Sequence, residues 1–176
     1  MKKILVTGGT GYIGSHTVVE LVAAGYGVII VDNFSNSSPE VLERLETITG
    51  VNIPFYKGSI SDKDLMNQIF EDNHIDAVIH LAAYKSVEES VREPLKYYEN
   101  NVSAGIALLE VMKEHKVEHI IFSSSATVYG MNHGSSLTGD LSTSAINPYG
   151  YTKLMMEQIL TDLALANSDC SVTNLR

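Results

Sequence analysis

Glycine recurs at positions 8, 11 and 14, directly behind a β-branched run at 4–7 and at the head of an amphipathic segment. Few folds accommodate that arrangement. The strand must turn sharply into a helix whose first turn carries no bulk, which commits both elements to a βαβ unit with helix packed close on sheet. The turn also leaves backbone amides free at a helix N-terminus, where they and the helix dipole favour an anion. The pattern predicts a loop that cradles the pyrophosphate of a dinucleotide. A lysine-bearing triphosphate loop is excluded, because Ser15 rather than Lys follows Gly14.

The alternation continues along the chain. β-branched runs at 28–32, 53–57, 77–81, 119–123 and 171–175 alternate with longer segments at about 12–24, 39–49, 62–72, 94–115 and 149–167 that carry helical patterning. Most of the runs lack polar–apolar alternation, as parallel strands covered on both faces do. Pro39 and Pro94 sit at helix starts, where a missing N–H costs nothing, and Asp62 is a candidate cap. Six strands joined by five crossovers predict an α/β fold, a Rossmann-type doubly wound parallel sheet forming one domain over residues 1–176. The stretch 126–147, rich in Ser, Gly and Thr, is expected to be a long irregular and functional loop. The sixth run ends flush with Arg176, so a larger enzyme with a substrate domain following Arg176 is expected.

Composition narrows the partners. Twelve Lys and Arg against 21 Asp and Glu give a net charge of −9, without the basic face that nucleic-acid backbones require. A phosphorylated small molecule stays open, because backbone amides hold phosphate without lysines. The single cysteine, Cys170, rules out a disulfide framework within these residues, fits a reducing compartment and is expected to be buried. No apolar run is long enough to span a bilayer or to act as a secretory signal, so a cytoplasmic protein is expected.

Two further patterns carry chemistry. Asp32 ends the second strand, where a carboxylate accepts hydrogen bonds from ribose hydroxyls and repels a 2′-phosphate. No Lys or Arg follows through 33–38, which predicts NAD rather than NADP. Tyr149 and Lys153 stand four apart on one helix face, after the fifth strand and at the sheet edge where open α/β folds bind ligands. A nearby cation lowers the pKa of a phenol, which otherwise lies near ~10. Ser123-Ser124-Ser125 brings hydroxyls to the same edge. His115 and His119 have metal-like spacing, but a helix end falls between them and no metal is expected. The stripes Leu95, Val102, Ile106, Leu109, Met112 and Leu154, Ile159, Leu160, Leu163 are read as packing against the sheet.

Together the glycine pattern, Asp32, the serine run and Tyr149-x-x-x-Lys153 resemble the extended short-chain dehydrogenase/reductase superfamily. Within it, residues 7–16, 97–102, 123–130 and 147–150 are similar to the UDP-galactose 4-epimerase family. The resemblance implies Tyr149 as the base for the sugar 4-hydroxyl, Lys153 on the nicotinamide ribose, and Ser125 bonded to the reacting hydroxyl. It implies Tyr12 and Ile13 at the pyrophosphate, with Asp32, Asn33, Phe34, Ser35, Asn36 and Ser37 around the adenosine. Ser59 and Ile60 would lie beside adenine, and Leu81, Ala82, Ala83, Tyr84, Lys85 and Asn100 along the cofactor's other side. Lys85, Ser125 and Tyr149 would also meet the UDP-sugar substrate. Ser59 stands where the family usually has an Asp, and Tyr84 replaces a typical aliphatic residue. The implied reaction passes through a transient 4-keto sugar and regenerates NAD. A homodimer through helices 94–115 and 149–167 is also implied. On this resemblance, residues 1–176 alone would hold NAD and turn over little sugar nucleotide.

Overall fold

The computed structural model describes residues 1–131 and 136–176. At its centre lies a six-stranded parallel sheet in the order β3-β2-β1-β4-β5-β6. The strands are β1 (Lys3–Thr7), β2 (Gly27–Asp32), β3 (Phe55–Lys57), β4 (Ala77–His80), β5 (His119–Ser123) and β6 (Ser171–Leu175). Strand order reverses on the two sides of β1, and crossovers leaving in opposite directions open a crevice at the carboxyl edge there. Pairing sets Thr7 level with Val31 on one side and His80 on the other.

Both faces of the sheet are apolar because both are covered. Ile4, Val6, Ile30 and Ile79 pack under α1 (Tyr12–Ala23) and α2 (Glu40–Thr49), through Val18 and Leu45. Leu5, Val31, Val78 and Phe122 point the other way. They meet Ile69 of α3 (Lys63–Asp72), Leu108 of α6 (Ala104–Glu114) and Leu160 of α7 (Pro148–Ala166). Each such fully buried aliphatic side chain contributes about 1.5–3 kcal/mol, which accounts for the absence of alternation in the strands. Asp62 caps α3 by accepting the Leu65 N–H, as its position predicts. Asn147 caps α7 from Oδ1 to the Gly150 N–H at 2.8 Å, with Pro148 at the first helical position.

Several features differ from the sequence reading. The segment 94–115 is not one helix: α5 (Pro94–Tyr98) runs through a π-turn at Glu99–Ser103 into α6. A wide turn shifts helical phase, so a 3.6-residue count across it mixes two faces. Leu95 and Ile106 consequently face solvent while Met112 is buried, and the stripe does not pack as a unit. On α7, Leu160 is buried and Leu163 is exposed. A short helix, α4 (Val87–Arg92), was not expected; Ser86 Oγ caps it by accepting the Glu89 N–H. The third strand begins at Phe55 rather than at 53, since Pro54 has no N–H for the ladder. The fourth ends at His80, because the Leu81 N–H turns to Thr7.

In the expected irregular stretch, Ala126–Tyr129 forms a 3₁₀ turn, and residues 132–135 lie outside the described residues. Cys170 is half-buried rather than buried. His115 Nε2 donates to Asn67 Oδ1. No helix among the described residues is long and apolar enough to cross a membrane.

Candidate active site

The glycine loop is built by exclusion of side chains. Gly8 adopts φ +70°, and a Cβ there would stand 2.8 Å from the Ala82 backbone nitrogen. A Cβ on Gly14 would stand 2.1 Å from the Gly8 carbonyl oxygen, so a methyl group at either position collides with backbone. Gly8 N–H donates to Val31 O and Gly11 N–H to Gly8 O, fixing the turn. α1 then starts from Gly11 with no side-chain cap and no acidic residue in its first turn. Its leading amides remain available to an anion.

This loop floors an open cleft along the carboxyl ends of the strands. Its wall combines Gly8, Gly11, Tyr12, Ile13 and Gly14 with Asp32, Asn33, Ser35, Asn36 and Ser37 after β2. Ser59 and Ile60 close one end; Leu81, Ala82, Ala83, Tyr84, Lys85 and Asn100 form the opposite side. Phe34 is the exception among the residues expected around the adenosine. Its backbone sits at φ +58°, and its ring turns out of the cleft onto Phe55, with centroids 5.0 Å apart. Ser123, expected at this edge with the serine run, also lines the cleft, as do Val31 and Gly58, which were not anticipated. Their position at strand ends was the available signal, since every strand terminus on this edge faces the crevice.

Asp32 is already engaged. Oδ2 accepts the Thr10 N–H at 3.1 Å, and Oδ1 accepts the Phe34 N–H at 2.9 Å and the Ser37 hydroxyl at 3.4 Å. A carboxylate offers about four acceptor positions, so these three bonds hold it in place and leave one for a ribose hydroxyl. Ser59 shares a hydroxyl–hydroxyl bond with Ser61 at 2.8 Å. The glycine cradle, the uncapped helix start and the anchored carboxylate fit an adenine dinucleotide without a 2′-phosphate.

The chemical groups come from β5 and α7. Lys153 is 4% exposed; its ammonium donates to Ser123 O at 2.7 Å and lies 4.9 Å from the Phe122 ring centre and 5.9 Å from that of Tyr149. Burial lowers its pKa to about 8. Tyr149 is half-buried one turn earlier. Ser125 Oγ accepts the Thr127 N–H and hydroxyl at 3.2 and 3.0 Å, which leaves its own hydrogen to donate elsewhere. Ser123 joins the two regions: its carbonyl holds Lys153, and the same residue lines the cleft. Tyr149, Lys153 and Ser125 themselves stand beyond the cleft wall, at its rim.

A buried pair under this rim escaped the sequence reading. Thr7 Oγ1 accepts the Leu81 and Ala82 N–H groups, each at 3.2 Å, so its hydrogen goes to His80 Nδ1 at 2.7 Å. His80 is therefore neutral with its proton on Nε2, and burial, helped by the Lys153 charge, lowers its pKa to about 3. A histidine inside the apolar run 77–81 was the sequence signal.

Comparison with known proteins agrees with this geometry. The UDP-glucose 4-epimerases of Bacillus subtilis (strain 168) and Neisseria meningitidis serogroup B are 52% and 53% identical to it over 173 and 177 residues. Those matches cover 98% and 100% of this chain but 51% and 52% of the relatives, so the chain spans about half the length of the curated relatives it matches. The crystal structure of UDP-glucose 4-epimerase from Bifidobacterium longum in complex with NAD⁺ and UDP superposes with a TM-score of 0.97 at 49% identity. That superposition covers 99% of this chain and 52% of that one. Residues 4–176 match the NAD dependent epimerase/dehydratase family, and the chain belongs to that family.

Proposed function

We propose that this chain supplies the cofactor-holding and proton-transferring part of a cytoplasmic, NAD-dependent UDP-hexose 4-epimerase, which interconverts UDP-galactose and UDP-glucose in galactose metabolism. One juxtaposition carries the reading: a buried Lys153 ammonium, fixed to Ser123 O and 5.9 Å from the Tyr149 ring, at the rim of a dinucleotide-shaped cleft. The epimerase from Bifidobacterium longum, so similar in backbone, was crystallised with NAD⁺ and UDP.

When bound, NAD supplies a hydride acceptor, and afterwards a donor, at C4 of the sugar. The chain's own residues manage position and protons. Amides of Tyr12 to Gly14 hold the pyrophosphate, Asp32 the adenosine ribose, and Lys85 neutralises phosphate charge at the cleft's opposite side. Tyr149 Oη takes the proton of the 4-hydroxyl and later gives it back. Lys153 stays largely cationic at neutral pH even with its pKa near 8, and it sets that charge 5.9 Å from the Tyr149 ring in a dry setting. Ser125 Oγ donates its free hydrogen to the reacting sugar oxygen. A dehydratase would need an acid for water loss; Ala126 and Thr127, not an acidic pair, follow Ser125, and this favours epimerisation.

The proposed partner is a second copy of the chain. Leu95 and Ile106 on α5–α6, with Met155 and Leu163 on α7, are exposed apolar side chains on neighbouring elements, suited to a helical dimer interface. The test uses the full chain that carries this sequence. Incubation with UDP-galactose should yield UDP-glucose, with NAD released on denaturation and dimeric sedimentation. A dehydrated product, or retained NAD with unchanged sugar, would overturn the assignment.

A further inference from the structure

The mechanism leaves one buried charged cluster unused. Glu157 is 4% exposed and lies one turn beyond Lys153 on α7, so carboxylate and ammonium share a helix face. Glu157 Oε1 accepts the hydroxyl of Ser124, itself 8% exposed. From the end of β6, Arg176 closes on the same carboxylate with a fork: Nη2 to Oε2 at 2.6 Å, and Nε to Oε1 and Oε2 at 3.0 and 3.1 Å. Its remaining nitrogen, Nη1, reaches Tyr129 Oη at 3.3 Å and Gly139 O at 3.2 Å.

The arrangement links consecutive residues. Lys153 grips the carbonyl of Ser123 while Glu157 grips the hydroxyl of Ser124. Two successive turns of the helix that bears Tyr149 thus hold two successive residues of the segment that bears Ser125. Tyr129, at the far end of the 3₁₀ turn that Ser125 caps, is held through the same Arg176. A carboxylate buried this deeply is costly unless fully paired, and here the fork and the hydroxyl satisfy both oxygens.

We propose that Glu157 is a positioning residue for the reaction: through Ser124, with Arg176 as its counter-charge, it sets the Ser125 hydroxyl in register with Tyr149 and Lys153. This rests on the reading of Ser125 and Tyr149 as the groups that meet the sugar. Glu157 touches neither sugar nor cofactor. Its effect is on kcat, because a misplaced hydroxyl costs orientation in the transition state. KM and cofactor retention depend on residues elsewhere.

The experiment is a double-mutant cycle in the full chain, with UDP-galactose as substrate. Ser124→Ala removes the hydroxyl that Glu157 holds and leaves the Glu157–Arg176 pair intact, so folding is not at stake as it is for Glu157→Ala. Ser124→Ala should lower kcat roughly 10- to 100-fold with KM, bound NAD and Tm nearly unchanged. Glu157→Gln, which keeps an acceptor for Ser124, should retain more activity than Ser124→Ala. Ser124→Ala/Ser125→Ala should be no slower than Ser125→Ala alone, because a positioning effect vanishes with the group it positions. Multiplying losses in the double variant, or unchanged kcat in Ser124→Ala, would overturn the proposal. If Ser125→Ala itself retained full kcat, the reading of the site would fall and the proposal with it.

Discussion

The cofactor cleft and the proton-transfer rim lie on one sheet edge, yet they are built by opposite means. The cleft is made of backbone and absence: Gly8 and Gly14 work because they carry no Cβ, and α1 because nothing caps it. The rim is made of buried side chains, Lys153, Glu157 and His80, each held by a partner from another element. A site of the first kind fails when something is added to it. A site of the second kind fails when something is taken away.

The largest expected effect tests the rim by subtraction. Tyr149→Phe keeps the ring and removes the proton acceptor, so turnover in the full chain should fall roughly 100- to 10,000-fold. NAD released on denaturation should be unchanged, since the cleft is untouched. Loss of both together would mean that the two regions are not separable.

Addition should break the cleft. Gly14→Ala sets a methyl group 2.1 Å from the Gly8 carbonyl, so the loop must move, and overpacking of this sort costs about 1–3 kcal/mol. Cofactor content should drop sharply while the helix bearing Tyr149 and Lys153 stays folded by circular dichroism. Cofactor choice gives a finer measure of the same region. Asp32, anchored by three hydrogen bonds, should favour NAD⁺ over NADP⁺ by about 100-fold or more in calorimetric titration, since a 2′-phosphate would face a like charge. Equal affinities would remove Asp32 from the ribose.

This contrast also decides what could be read from sequence. The cleft was legible because its determinants are local: three glycines spaced by three, and a carboxylate at a strand end. Phe34 escaped because a positive φ, invisible in the sequence, turns its ring onto Phe55. Tyr149 and Lys153 were legible from helical spacing, but Glu157, one turn further, was not. Its meaning depends on Arg176 and Ser124, brought to it only by the packing of β5, β6 and α7. The helix at Val87–Arg92 did carry a signal, since Ser86 followed three residues later by Glu89 is a capping pattern. The π-turn at Glu99–Ser103 carried none that propensity resolves, and with it went the expected single stripe from Leu95 to Met112.

The smallest effect separates the two regions by pH. His80 is neutral, its Nδ1 accepting the Thr7 hydroxyl, with its pKa lowered from about 6.5 to about 3. An unfolded chain binds a proton there below pH ~6.5 while the folded chain does not. Stability from this group is therefore complete above that value and is lost progressively as pH falls toward 3. Lys153 acts at the other end of the scale. Its pKa, lowered from 10.5 to about 8, makes the folded state give up a proton first, so its share of stability rises as pH increases between those values. Between pH 7 and 5 only His80 of this pair contributes, on the order of 1–2 kcal/mol, or a few degrees in Tm for a chain of this size. His80→Asn, which does not titrate and keeps an acceptor for Thr7, should flatten the Tm profile over that range relative to the parent. Gly14→Ala should shift the whole profile downward without changing its slope, because the cleft is held by shape and not by a titrating group. An unaltered slope in His80→Asn would mean that acid sensitivity lies in the surface carboxylates and not in the buried Thr7–His80 pair.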